Sequence, residues 1–245
     1  AVVLAVTGLP IPSLPSTFWS WVLLGAGSQI FSTGTMLAAM NDRSFVVTIV
    51  YTKTEVIQAA LFGLLFLGDP LTLPILTAIL IATGGVALMS LKPGAKMQGG
   101  LRPTLLGLAS GAMLALSVTG YRGAILSLGL PNFVLAATFT LAVGLVCQSA
   151  ILTLYLAVRD RNVLLEIARA WRPSLFAGFM GAVASEFWFL AFALTTAANV
   201  RTLGLAEVLF AQGISIFIFK QGTSRREATG MALIVLGVAL LIWVQ

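Results

Sequence analysis

Four ionisable side chains lie deep inside long apolar runs: Lys53 and Glu55 in the run 44–68, Glu186 in 173–197 and Glu207 in 198–219. A charge held in hydrocarbon is costly, so such residues are rare and mark paths for protons, ions or solutes. Two chemistries are open to each carboxylate. In a low-dielectric cavity the charged form is disfavoured and the group can hold a proton near neutrality, whereas beside a fixed cation it stays ionised. Lys53 and Glu55 are two residues apart and leave a helix on different sides. Lys53 therefore needs another partner: Glu186, Glu207, an anionic group on a ligand, or water reached by a snorkelling stem.

Residues four apart share a helix face, so Glu55, Ala59 and Gly63 form one stripe and Glu207, Ala211 and Ser215 form a second of the same kind. Gly178, Ala182 and Glu186 repeat the motif in reverse order. Small residues beside a carboxylate either leave room for a hydrated cavity or let a neighbouring helix approach and bond it. Gln58, Asn199 and Gln212 add neutral polar groups within apolar runs, and Trp188 adds an aromatic wall beside Glu186. With Ala59, Gly63 and Ala211 these are the candidates for lining a pathway. Arg122 and Arg201 stand near the ends of apolar runs, where a long basic side chain is expected to snorkel to the interface.

The elements that carry these groups follow from composition. Only 9% of the 245 residues are charged, against about 25% in soluble domains. The apolar fraction is 59% and the mean hydropathy is +1.03, so an ordinary soluble globule is excluded. The net charge of +6 comes from Lys and Arg in short gaps between apolar runs, not from a phosphate-binding patch, and nucleic acid is not an expected partner. Without histidine and with Cys147 as the single cysteine, zinc, triad and disulfide chemistries lose their usual residues. No metal, no cofactor and no enzymatic activity is expected. An intramembrane enzyme would need paired catalytic groups, which three Glu residues without histidine do not supply.

Eight runs are long enough for a helical crossing of the bilayer: 17–40, 44–68, 72–91, 104–127, 132–158, 173–197, 198–219 and 228–244. They are bounded by breakers such as Gly68-Asp69-Pro70, Lys92-Pro93-Gly94 and Gly129-Leu130-Pro131. No strand-like alternation is present, so the expected fold is an all-α, multi-pass membrane bundle. Residues 158–173 read either as an interfacial helix or as a solvated loop.

The chain also repeats. The shift of 152 that separates Glu55 from Glu207 aligns Trp19 with Trp171, Val56 with Val208, Ala59 with Ala211, and Gly85-Val86-Ala87-Leu88 with Gly237-Val238-Ala239-Leu240. Residues 1–91 are read as a first repeat lacking its beginning, 92–103 as a connecting loop and 104–245 as a second repeat of five helices. Residues 1–9 are read as the tail of a helix that starts earlier. A complete protein would then hold ten helices in two halves, and an odd number per half makes the halves inverted. Eleven basic residues fall in alternate gaps: Arg43; Lys92, Lys96 and Arg102; Arg159, Arg161, Arg169 and Arg172; Lys220, Arg225 and Arg226. The positive-inside rule puts those gaps in the cytoplasm and the C-terminus outside.

The segments Thr54–Leu88 and Ala206–Leu240 resemble the last two helices of the EamA repeat in the drug/metabolite transporter superfamily, which carries a Glu, an acidic turn and a glycine-bearing fifth helix. Glu55 and Glu207 match the Glu, Asp69 the acidic turn, and Gly85 and Gly237 the glycine. The chain departs where Val56 and Val208 replace the family's proline and Gln221 replaces the second acid. The resemblance implies a secondary transporter of small metabolites, commonly exporting amino acids or related solutes, with proton coupling as one option. It also implies a bacterial cytoplasmic (inner) membrane and both termini in the cytoplasm, against the charge pattern. The alternative is a lipid-linked substrate flippase of the same superfamily. No GxxxxGK[ST] loop is present, so direct ATP drive is not indicated.

Overall fold

A computed structural model describes residues 12–42, 51–90, 101–218, 220 and 223–244. Residues 1–11, including the apolar stretch 1–9, and 43–50 lie outside the described residues. Every regular element among the described residues is helical: α1 (Ser16–Asp42), α2 (Glu55–Phe62), α3 (Leu73–Ser90), α4 (Leu101–Ser127), α5 (Phe133–Arg159), α6 (Arg161–Arg169), α7 (Trp171–Leu194), α8 (Ala197–Gly204), α9 (Glu207–Phe217) and α10 (Arg225–Val244).

Local chemistry sets the ends. The Asn132 side chain accepts a bond from the Leu135 amide (3.0 Å) to start α5, and Thr196 accepts from the Asn199 amide (3.2 Å) to start α8. Ser224 and Glu227 open α10 as a reciprocal capping box, each side chain accepting from the other's amide (3.2 and 2.7 Å). Helix α2 passes into one π-helical turn, Gly63–Leu67, which Gly68 closes at φ 67°, a left-handed conformation natural to glycine. Pro70 then prevents continuation.

Helices α1, α4, α5, α7 and α10 contain stretches long and apolar enough to cross a membrane, and Glu55–Leu67 and Leu73–Met89 are shorter apolar helices. Large apolar side chains including Val158, Phe217 and Trp243 lie exposed on their surfaces. This is a multi-pass membrane protein, whose outer faces meet lipid. The run 198–219, expected as one crossing, divides into α8 and α9. The run 158–173 forms α6 and the start of α7, with apolar Val163, Leu164 and Ile167 on one side of α6 and Asn162, Glu166 and Arg169 on the other.

The chain forms two compact units. One comprises Ala1–Ile30 and Gly120–Thr195, the other Phe31–Thr119 and Thr196–Gln245. In the first unit the Tyr121 ring meets that of Phe189 at a tilt, with centroids 4.8 Å apart, and its hydroxyl accepts from Gln148 Nε2 (2.8 Å). Gln148 also donates to Gln29 (3.0 Å), so these two glutamines tie neighbouring helices together.

The second unit is centred on α3 against α10, with Ile79, Ala82, Val86, Ile234 and Leu241 at its core. The helices touch at backbone distance: a Cβ on Gly85 would lie 2.7 Å from the Gly230 carbonyl oxygen, and one on Gly237 would lie 2.8 Å from that of Ala78. The two contacts are reciprocal under the sequence repeat, since Gly85 corresponds to Gly237 and Ala78 to Gly230. As one helix ascends the other descends, so the contact is antiparallel. In the same unit Ser32 and Ser110 each donate to the other's carbonyl (2.8 and 3.0 Å), joining α1 to α4.

Candidate functional site

Both repeat copies interrupt a helix at the same place. Residues 51–52 are helical, Lys53–Thr54 form a turn, and α2 begins at Glu55; α8 ends at Gly204, Leu205–Ala206 form a turn, and α9 begins at Glu207. Hydrogen bonds recur at matched residues of the two turns. The Thr54 amide bonds Tyr51 O (3.2 Å) as the Ala206 amide bonds Leu203 O (3.0 Å), and Ile57 bonds Thr54 O (3.1 Å) as Leu209 bonds Ala206 O (2.9 Å). Thr54 and Ala206 have ψ of −11° and −20°, the geometry of a 3₁₀ turn within the α-ladder. Each glutamate becomes the first residue of a new helix, where free amides and the macrodipole favour a negative charge.

The charges on the two segments are crossed. Arg201, from α8, donates through Nε (3.0 Å) and Nη2 to Glu55 Oε1, and Lys53 pairs with Glu207 Oε1. One expected partner of Lys53, Glu207, is thus the one found. Arg201 does not snorkel to an interface but neutralises Glu55. Sequence held a signal for this, because the two matched runs contain two acids and two bases. Arg122 behaves similarly in the first unit, donating to the Phe192 (2.8 Å) and Thr195 carbonyls at the end of α7.

Environment separates the two pairs. The Glu55 side chain is 2% exposed and that of Glu207 is 56% exposed, while Arg201 and Lys53 are 14% and 15% exposed. Removing Glu55 from water is a large cost that only a partner can offset. The offset is incomplete, because Glu55 Oε2 is buried with no hydrogen-bond partner among the described residues. A second buried acceptor stands one turn further on. Thr54 Oγ1 uses its single hydrogen toward Tyr51 O (2.6 Å), so Gln58 Nε2 must be the donor in the 3.3 Å contact with Thr54. Gln58 Oε1 therefore faces away and also lacks a partner among the described residues. The segment can accept hydrogen bonds from a donor at both atoms.

The other candidates divide by unit. Ala59 is fully buried, and Gly63 is buried against Asp69, whose Oδ2 would lie 2.9 Å from an added Cβ. That is the close approach which small residues permit. Asn199 is buried in the first turn of α8, Gln212 is half-buried on α9, and Ala211 lies on α9. In the first unit Glu186 is half-buried on α7 and accepts from Thr138 Oγ1 of α5 (2.5 Å), and Trp188 stacks with Phe192 at 6.2 Å. Thus Lys53, Glu55 and Glu207 come together with Arg201, while Glu186 and Trp188 belong to the other unit. Among the described residues no group of three His, Cys, Asp or Glu side chains is placed to hold a metal.

No protein-family model matches the chain, and no curated protein matches it. Its fold recurs among solved structures. One, described only as the crystal structure of a protein, superposes with a TM-score of 0.69 over 100% of this chain and 83% of its own, at 15% identity. At that identity the likeness is one of fold.

Proposed function

We propose that this membrane protein is a secondary transporter of small metabolites, an EamA-type member of the drug/metabolite transporter superfamily, working by alternating access between two inverted repeats. The observation that carries the reading is the pair of matched helix interruptions, each presenting a glutamate that pairs with a cation from the other copy. Interrupted helices with functional groups at a half-helix end are a recurrent device of transporters, whose substrate sites lie where inverted repeats meet. The reciprocal, antiparallel contact of Gly85 with Gly230 and of Gly237 with Ala78 supports a two-fold relation with its axis in the membrane plane. The unequal burial of Glu55 and Glu207 supports alternation, since exchanging the roles of two equivalent halves would open Glu55 and close Glu207.

On this reading Glu55, Glu207 and Lys53, with Arg201, form the charged part of the pathway. Gln58, Asn199 and Gln212 supply neutral polar groups. The test is solute flux in proteoliposomes of the full-length protein, across amino acids, organic acids and organic cations, with vesicle pH recorded. Saturable flux that Glu55→Gln or Glu207→Gln abolishes is expected. Flux no greater than in empty vesicles for every solute would contradict the reading.

A further inference from the structure

The corner between α6 and α7 combines three features that no part of the transport reading uses. It is basic: Arg169 and Arg172 stand at the corner itself, and Arg159 and Arg161 at the other end of α6, against Asp160 and Glu166. It carries the short amphipathic helix α6, whose residues are exposed apart from the half-buried Val163 and Leu164. It also encloses an open groove of about 540 Å³ lined by Ile167, Ala168, Trp171, Leu175, Gly178 and Phe179, with Ser174 as its one polar side chain.

The groove follows from the sequence. Trp171, Ser174, Leu175, Gly178 and Phe179 recur at intervals of three and four and so share one face of α7. Gly178 leaves the trough between flanking side chains, and a Cβ added there would meet nothing within 4 Å. The Arg172 guanidinium folds over the Trp171 ring, 5.3 Å from its centroid, which brings a positive charge to the wall of an apolar groove. Arg169 adjoins Ala168, another lining residue.

An amphipathic helix rich in arginine beside a membrane crossing lies in the interface and is drawn to anionic headgroups. We propose that this corner is a binding site for one anionic phospholipid, with the phosphate held by Arg169 and Arg172 and an acyl chain laid in the groove past Gly178. Charge complementarity selects the occupant: a zwitterionic lipid could fill the groove but would gain little from the two guanidinium groups. The arginines also stand in a gap that the positive-inside pattern assigns to the cytoplasm, whose leaflet is the anionic one. The site does not depend on the transport reading.

The test is native mass spectrometry of the full-length protein offered dioleoyl phosphatidylglycerol, dioleoyl phosphatidylcholine or glycerol phosphate alone. Phosphatidylglycerol is expected to be retained preferentially, and glycerol phosphate not at all, because the chain contributes to binding. Arg169→Gln and Arg172→Gln are each expected to weaken that preference about fivefold. Lysine at both positions, which keeps the charge, retains it. Gly178→Leu puts a side chain into the trough, where its Cβ meets nothing within 4 Å, and should lower retention of both lipids while circular dichroism is unchanged. Equal retention of the two lipids by the wild type, or undiminished phosphatidylglycerol binding by Gly178→Leu, would overturn the proposal.

Discussion

At Lys53–Thr54 and again at Leu205–Ala206 the chain makes the same 3₁₀ turn, with the same backbone bonds and a glutamate directly after it. The two segments nevertheless sit in opposite environments. Glu55 is enclosed with a guanidinium on one oxygen and no hydrogen-bond partner on the other among the described residues, while Glu207 lies more than half open and meets the Lys53 ammonium. Repetition fixes the backbone, and the difference lies in side chains that the repeat does not share. Arg201 corresponds to Ile49 and Lys53 to Leu205, so neither cation has an equivalent in the other copy. A repeated backbone turn therefore carries an asymmetric charge arrangement.

The largest expected effect breaks the buried pair. Arg201→Ala leaves Glu55 charged, enclosed and alone, and should cost about 3–5 kcal/mol of stability, read from denaturant unfolding in detergent micelles. Adding Glu55→Gln should recover most of that loss, because the uncompensated charge is then gone. A double variant no more stable than Arg201→Ala would show that the arginine acts through something other than Glu55.

The scaffold should respond alike in both copies. Gly85→Ala and Gly237→Ala each drive a methyl group into the backbone of the facing helix, and each should cost about 1–3 kcal/mol. Losses differing by more than that range would deny that the two contacts are equivalent. The smallest effect belongs to the open pair. Lys53→Ala is expected to cost about 0–1 kcal/mol, as for exposed ion pairs, and the loss should shrink in high salt. A cost matching that of Arg201→Ala would erase the distinction between the two segments.

Much of this was legible in the sequence, because lipid imposes long apolar runs and the repeat keeps them in register. The reciprocal glycine contact was foreshadowed by the match of Gly85 with Gly237. The interruptions were not foreshadowed, since neither Lys53-Thr54 nor Leu205-Ala206 contains the proline or glycine that usually marks a break. Hydropathy puts Arg201 at an interface because it reports depth along one helix and not which helices approach it. At 158–173 the sequence admits both a helix and a loop, although the two faces of Arg161–Arg169 are already distinct in it. The start of α10 was written in Ser224-Arg225-Arg226-Glu227, a spacing that satisfies two amides at once.

The central claim is that Glu55 and Glu207 exchange environments during transport. It is tested most directly by placing single cysteines at Thr54 and Ala206, the equivalent residues before the two glutamates, in a Cys147→Ala background of the full-length protein. Their reaction with a membrane-impermeant maleimide would be followed in sealed vesicles while a solute gradient is applied and then reversed. The account predicts that labelling rises at one position as it falls at the other, and that reversal exchanges them. Rates that move together, or that ignore the gradient of a solute shown to be transported, would contradict it.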